Sequence, residues 1–383
     1  MDGATNVPLT QSIIVDFSEA MDVSLGAVTL VTVPPTTFGV PTWSSGDTRA
    51  TWTHAAPFTQ CTLYTATVTG VDLDGDSLVA GPVPNPWDFT TPCTLAAPAN
   101  LKVQRSGVLN ADITLVWDAV SGATSYRIYE SGNRFAAFPG GWNPPVSDPA
   151  SPYTFNGHGG DGQTHYYIVR AANNLTEGPN STMGVKTELA FTLNAGPGVT
   201  NIQWFSLPYQ SMYTRASTIA QELGSTRVDL IGKWDPAKQR SDTYFFSRGR
   251  WRGTDFTIGA GDGLYLGVVS SFGWVINGTD SLPVLGFTLN PPGKANVNWR
   301  GIPYTGTYAT ASDIMMDLEP LLGNSRIREI GKWNGATQTS TRFYYNGITW
   351  VGVDFAVNPG DGIYLIITSS FTWTPALLTP PVP

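Results

Sequence analysis

Leu63-Tyr64-Thr65-Ala66-Thr67-Val68 alternates side chains at period two, the pattern of a strand with one buried face. Working outward, Ser12-Ile13-Ile14-Val15-Asp16-Phe17 reads as a strand ended by Ser18-Glu19-Ala20-Met21-Asp22, and Val28 to Val33 reads as another. Thr42-Trp43 and Ala50-Thr51-Trp52 flank a Gly46-Asp47 hairpin turn, and Trp87-Asp88-Phe89-Thr90 closes the unit. The rest of the 383-residue chain keeps this character. Only 13% of residues are charged, below the roughly 25% of an average domain, while 41 Gly and 29 Pro supply turns. Short strands between turns predict an all-β chain.

Net charge is −8 and no Lys/Arg cluster occurs, so no nucleic-acid partner is expected: phosphate binding needs a basic face. No run of about 18 apolar residues exists, so no membrane span is expected. The abrupt start at Met1-Asp2-Gly3 reads as that of a mature or excised fragment, and Thr379-Pro380-Pro381-Val382-Pro383 as a linker stub. Cys61 opens one strand and Cys93 closes the next. Antiparallel pairing would set them side by side, so a disulfide and an oxidising compartment are expected. Two buried free thiols are the alternative.

The first ninety residues carry Asp2-Gly3-Ala4-Thr5-Asn6-Val7-Pro8, Phe17-Ser18-Glu19-Ala20-Met21, Tyr64-Thr65-Ala66-Thr67-Val68-Thr69-Gly70-Val71 and Trp87-Asp88-Phe89-Thr90-Thr91. In this order the motifs resemble the bacterial Ig-like domain 5 family, which implies an extracellular spacer without catalysis. Beyond Ala96-Ala97-Pro98-Ala99 come Trp117, Gly122-Ala123-Thr124-Ser125-Tyr126 and the strand His165-Tyr166-Tyr167-Ile168-Val169-Arg170-Ala171-Ala172-Asn173. This stretch resembles a fibronectin type III domain. It departs from that pattern in an insertion after Tyr129 that carries Phe135, Phe138 and Trp142.

Residues 200–286 repeat as 296–378. Asn201-Ile202-Gln203-Trp204 matches Asn296-Val297-Asn298-Trp299, and Leu207-Pro208-Tyr209 matches Ile302-Pro303-Tyr304. Ile231-Gly232-Lys233-Trp234 matches Ile330-Gly331-Lys332-Trp333, and Gln239 matches Gln338. Gly261-Asp262-Gly263-Leu264-Tyr265-Leu266 matches Gly360-Asp361-Gly362-Ile363-Tyr364-Leu365; Trp251, Asp255-Phe256 and Trp274 recur as Trp350, Asp354-Phe355 and Trp373. The second segment gains four residues near Glu319-Pro320-Leu321-Leu322. One helix is expected in each: Ala216 to Leu223 closed by Gly224, and a helix opened at Thr310 with Asp313 three residues on, running through Leu318. Each segment resembles a small β-rich module found near the C-termini of prokaryotic surface proteins. The expected architecture is all-β: two Ig-like/FN3 β-sandwiches (1–94 and 95–190), then a duplicated β-rich domain (191–290 and 291–383) with one short helix per copy.

No catalytic set is legible. His54, His158 and His165 have no nucleophile pattern nearby, and all three read as structural residues. Asp72-Leu73-Asp74-Gly75-Asp76 spaces Asp72, Asp74 and Asp76 as hard-cation ligands, a weak calcium candidate beside the simpler reading of a solvated turn. Asp255 with Asp262, and Asp354 with Asp361, resemble paired glycosidase carboxylates. Gly-Asp-Gly turns and backbone capping explain them more simply. Of 13 Trp, the recurring Trp204/Trp299 and Trp234/Trp333 suit cores. Phe135, Phe138 and Trp142 are the best candidates for an exposed interaction loop, expected to dock against a neighbouring domain or subunit before a sugar. Sequons begin at Asn174, Asn180 and Asn277.

The expectation is a non-enzymatic extracellular surface protein that needs no cofactor. It would self-associate or bind other surface proteins, building or decorating a fibre, sheath or layer. The alternative is an adhesin, or the glycan-binding accessory region of a larger secreted enzyme.

Overall fold

The computed structural model describes residues 2–79, 81–173, 176–194, 201–319 and 325–378. Pro320, Leu321 and Leu322 of the expected insertion, Asn174 of the first sequon and the Thr379–Pro383 end lie outside them. Among the described residues the chain is all-β apart from two short helices and a 3-10 turn. Among the described residues no helix is long and apolar enough to cross a membrane.

The chain divides into two compact units. The first comprises residues 1–97, 120–126 and 171–179, and the second 98–119, 127–170 and 180–383. In the first, the antiparallel sheet Ile13–Asp16, Arg49–Trp52, Thr42–Ser44 and the sheet Val28–Val33, Leu63–Gly70, Trp87–Thr90 close on one core. Period-two alternation puts Val28 and Leu30 inward from one strand and Tyr64, Ala66 and Val68 from the next. Leu63 faces Thr90 in register, so the residues just outside this pair meet. Cys61 and Cys93 form a disulfide there.

In the second unit, a small sheet of Tyr153–Phe155, Asp112–Val116 and Lys102–Ser106 lies against a long one. The Phe155 and Tyr167 rings meet between them at 5.2 Å. The long sheet runs Val146–Ser147, Ser125–Ser131, His165–Ala172, Gly184–Phe191, Phe272–Thr279, Gln210–Ser211. All eight residues of Gly184–Phe191 pair with Phe272–Thr279. One continuous sheet therefore joins the second sandwich to the first repeated segment, and the boundary expected at 190/191 falls inside a strand.

Each repeated segment contributes a five-stranded antiparallel sheet. The orders are Ile202–Phe205, Leu264–Val268, Val228–Asp235, Arg240–Ser247, Arg250–Gly253 and Val297–Gly301, Gly362–Ile367, Ile327–Asn334, Thr339–Tyr345, Trp350–Gly352. Strand order is the same, and both carry a register shift at one place, between Val228 and Leu230 and between Ile327 and Glu329. Helix α1, Ala216–Leu223, buries Ala216, Ile219, Ala220 and Leu223; helix α2, Ala311–Leu318, buries Ala311, Ile314, Met315 and Leu318. That i, i+3, i+4, i+7 stripe is one helical face. Thr310 caps α2, Asp313 Oδ2 accepts from the Thr310 amide at 2.9 Å, and Gly224 closes α1.

Leu285–Phe287 lies on the first-segment side of the boundary expected at 290/291. It pairs with Phe371–Trp373, and Leu285 and Phe287 pack in the second segment's core. Phe191 holds the equivalent place in the first core, opposite Phe272. Phe191-Thr192-Leu193-Asn194 recurs as Phe287-Thr288-Leu289-Asn290, an identity that marks the entry strand of each segment and that the motif comparison missed.

Candidate functional site

The two repeated segments close on each other through contacts made twice. Trp234 Nε1 donates to the Val297 carbonyl at 2.8 Å, and Trp333 Nε1 to the Ile202 carbonyl at 2.7 Å. Gln239 receives the Val297 amide and donates to its carbonyl, and Gln338 does the same for Ile202. Asn290 reaches the Pro236 carbonyl and Asn194 the Gly335 carbonyl. Between these arms Trp204 and Trp299 lie 3.7 Å apart, with Trp234 stacked on Trp299 and Trp333 on Trp204. Each bond has a counterpart with the segments exchanged, as in an isologous interface. These tryptophans, expected in separate cores, line a shared seam. Gly263 and Gly362, the second glycines of the Gly-Asp-Gly triplets, give it room: a Cβ on Gly263 would sit 2.6 Å from Trp299 Cβ, and one on Gly362 3.1 Å from the Phe205 carbonyl oxygen. Asp280, fully buried, accepts from the Tyr209 and Thr305 amides and the Thr305 hydroxyl. Burial pushes its carboxyl up, against those hydrogen bonds.

The repeated carboxylates each have a structural partner. Asp255 accepts from the Ser217 amide and hydroxyl, and Asp354 from those of Ser312, so each caps a helix N-terminus. Asp262 pairs with Lys233 and Asp361 with Lys332. Tyr213 and Trp274 both donate to Glu222, as Tyr308 and Trp373 both donate to Asp317. The lysine of each Gly-Lys-Trp motif therefore holds the turn of the same segment.

Burial corrects the expected exposure of this loop. Phe138 and Trp142 are 8% and 7% exposed and belong to a core with Tyr129 and Tyr166. Phe138 meets Tyr129 edge-on at 4.8 Å. Only Phe135 stays half exposed, at 46%, under the guanidinium of Arg134. Arg134, a residue the sequence reading passed over, is itself buried. It donates to the carbonyls of Tyr304, Tyr308 and Val357. The insertion therefore folds back on its own chain: Phe138 and Trp142 join a buried core, and Arg134 reaches the second repeated segment. The Asn277 sequon is buried too, its amide donating to the Val103 carbonyl.

At the calcium candidate, Asp72 Oδ1 accepts the Asp74 and Asp76 amides at 2.9 Å each, while Asp74 and Asp76 point outward. This is a turn closed on its own backbone.

Two of the three histidines, His158 and His165, are brought together. Glu130 and His165 stand on neighbouring strands, and His158 comes from the loop Gly157-His158-Gly159-Gly160. His165 Nδ1 hydrogen-bonds Glu130 Oε1, and its Nε2 reaches Asp161 Oδ2 at 2.6 Å. Lys186, opposite His165 in register and fully buried, donates to Asp161 and to the Gln163 carbonyl. His158 stacks on His165 with centroids 4.3 Å apart, and its Nδ1 lies 3.0 Å from the Tyr167 hydroxyl. Burial opposes charge on His165, but Glu130 and Asp161 outweigh it and hold the imidazolium above its usual range. The His165 hydrogen bond lowers Glu130. Burial raises Asp161, yet Lys186, the Gln163 amide and His165 bring it down to about 2. Burial and then the neighbouring His165 lower His158. His54 stays apart in the first unit, against Phe58.

Residues 1–91 match the family model of the bacterial Ig-like domain. That stretch holds both sheets of the first sandwich and Cys61. Among solved structures, the chain is similar to the FN1–FN3 domains of chicken CNTN1, with 10% sequence identity, 73% of this chain and 99% of that chain covered, and a TM-score of 0.25. No curated protein matches.

Proposed function

We propose that the chain is a non-catalytic structural module of an extracellular surface protein, whose β bodies build or decorate a fibre, sheath or layer. The observation that carries this reading is the reciprocal seam. The repeated Trp, Gln and Tyr residues, the side chains most suited to lining a ligand groove, are used to fix two segments to each other. A rigid body of this kind transmits load and presents a fixed surface, which is what a scaffold requires. The Ig-like match supports placement outside the cell, and the Cys61–Cys93 disulfide suits an oxidising compartment. Against catalysis stand the recurring carboxylate pairs, with Asp255 and Asp354 engaged in helix caps and Asp262 and Asp361 in ion pairs.

Sedimentation velocity with negative-stain electron microscopy of the purified chain tests the reading. Ordered filaments or lattices are expected as concentration rises. Monodisperse particles at every concentration, with specific retention on a glycan array, would overturn it in favour of an adhesin or glycan-binding arm.

A further inference from the structure

We infer that Glu130, His158 and His165 form a mononuclear site for a transition-metal dication of the zinc class, with one carboxylate and two imidazoles as ligands. One carboxylate oxygen and one ring nitrogen from each histidine lie within 4.8 Å of one another. Two nitrogens and one oxygen of borderline softness suit zinc, cobalt, nickel or copper and disfavour calcium or magnesium. Bonds of about 2.0–2.2 Å require the ligands to draw closer. His158 is the member that must turn, out of its stack on His165, by rotation of its side chain, because the Gly157 and Gly159 amides beside it are held by Asp112 and the Ala111 carbonyl.

The surroundings match a prepared site. A ligating histidine holds its ring by giving its other nitrogen to a carboxylate or similar acceptor. His165 Nε2 is engaged by Asp161, which the buried Lys186 fixes from the adjacent strand. His158 Nδ1 is engaged by the Tyr167 hydroxyl, leaving Nε2 for an ion. The ion takes the place of the proton shared by Glu130 Oε1 and His165 Nδ1. That proton leaves to solvent, and both atoms turn their lone pairs to the metal. Three protein ligands leave a fourth position for water.

The test uses the full chain without a polyhistidine tag. Zn²⁺ is titrated calorimetrically in a non-chelating buffer, and Co²⁺ is followed by its visible ligand-field bands. Wild type is expected to bind one ion per chain and to give the intense bands of a four-coordinate cobalt centre. His158→Ala, on a surface loop, should abolish those bands, and Asp161→Asn should weaken binding by about 10- to 100-fold. His54→Ala should leave the titration unchanged. Circular dichroism and thermal unfolding establish that each variant is folded, and Glu130→Gln replaces any that is not. Absence of binding by wild type, or unchanged stoichiometry and spectrum in His158→Ala or Glu130→Gln, overturns the inference.

Discussion

The Tyr209 hydroxyl donates to the Gly301 carbonyl at 2.9 Å, and the Tyr304 hydroxyl returns the bond to the Ser206 carbonyl at 2.7 Å. Tyr209 and Tyr304 hold the same place in the two repeated segments, and so do Ser206 and Gly301. Tyr209→Phe leaves one buried carbonyl without its donor, and Tyr304→Phe leaves the other. Each should cost about 1–3 kcal/mol in chemical denaturation. A loss confined to one variant would mean that the exchange is not reciprocal.

The ring of Tyr265 lies across Gly232 from the neighbouring strand, and that of Tyr364 lies across Gly331. A Cβ at either glycine would fall 1.9 or 2.1 Å from ring carbon. Gly232→Ala and Gly331→Ala should each destabilise by about 1–3 kcal/mol through overpacking. Equal stability in urea titrations would show that the ring can swing aside.

Phe138→Ser or Trp142→Ser should lower stability sharply, because both rings are buried. Truncations of this size in a core cost about 3–5 kcal/mol. Normal melting temperatures in these variants would return the loop to the surface.

Removing the disulfide with Cys61→Ser/Cys93→Ser opens a loop spanning 32 residues of sequence separation. The expected cost is about 3–4 kcal/mol, from the restored entropy of the unfolded chain. Hydrogen exchange should place the effect on residues 2–97 and leave protection of the α1 and α2 amides unchanged.

Asp255 provides a pH test. Burial raises its carboxyl, but the Arg215 guanidinium and the Ser217 amide outweigh this and hold it below the usual range. A depressed folded value means the contribution is present above the unfolded pKa and lost as pH falls through the folded one. Asp255→Asn should therefore cost about 1 kcal/mol at neutral pH and little once wild-type Asp255 is protonated. A gap that persists in strong acid would assign the effect to shape instead of charge.

Much of the fold was legible because it is local. Period-two alternation marked Leu63–Val68, and the capping residues marked both helices, α2 beginning at Ala311, one residue after its Thr310 cap. Cys61 and Cys93 could be placed because antiparallel register is geometric. What eluded the sequence depends on which surface meets which. Trp204 and Trp299 look like core residues in either segment alone, and only their contact with each other reveals the seam. Phe138 and Trp142 flank Pro139-Gly140-Gly141 in an insertion, a pattern shared by exposed loops and by loops that dock. His158 and His165 lie seven residues apart with no motif between them. A strand that turns back through a glycine-rich loop is what lets their rings stack.

The central claim is that the two repeated segments form one body through their seam. Differential scanning calorimetry of the full chain tests it directly, with Trp234→Phe/Trp333→Phe and Gln239→Ala/Gln338→Ala as the seam variants. The segments should unfold in a single transition in wild type, and both double variants should lower that transition or split it in two. Two independent transitions already present in wild type, with seam variants that leave them in place, would contradict the account.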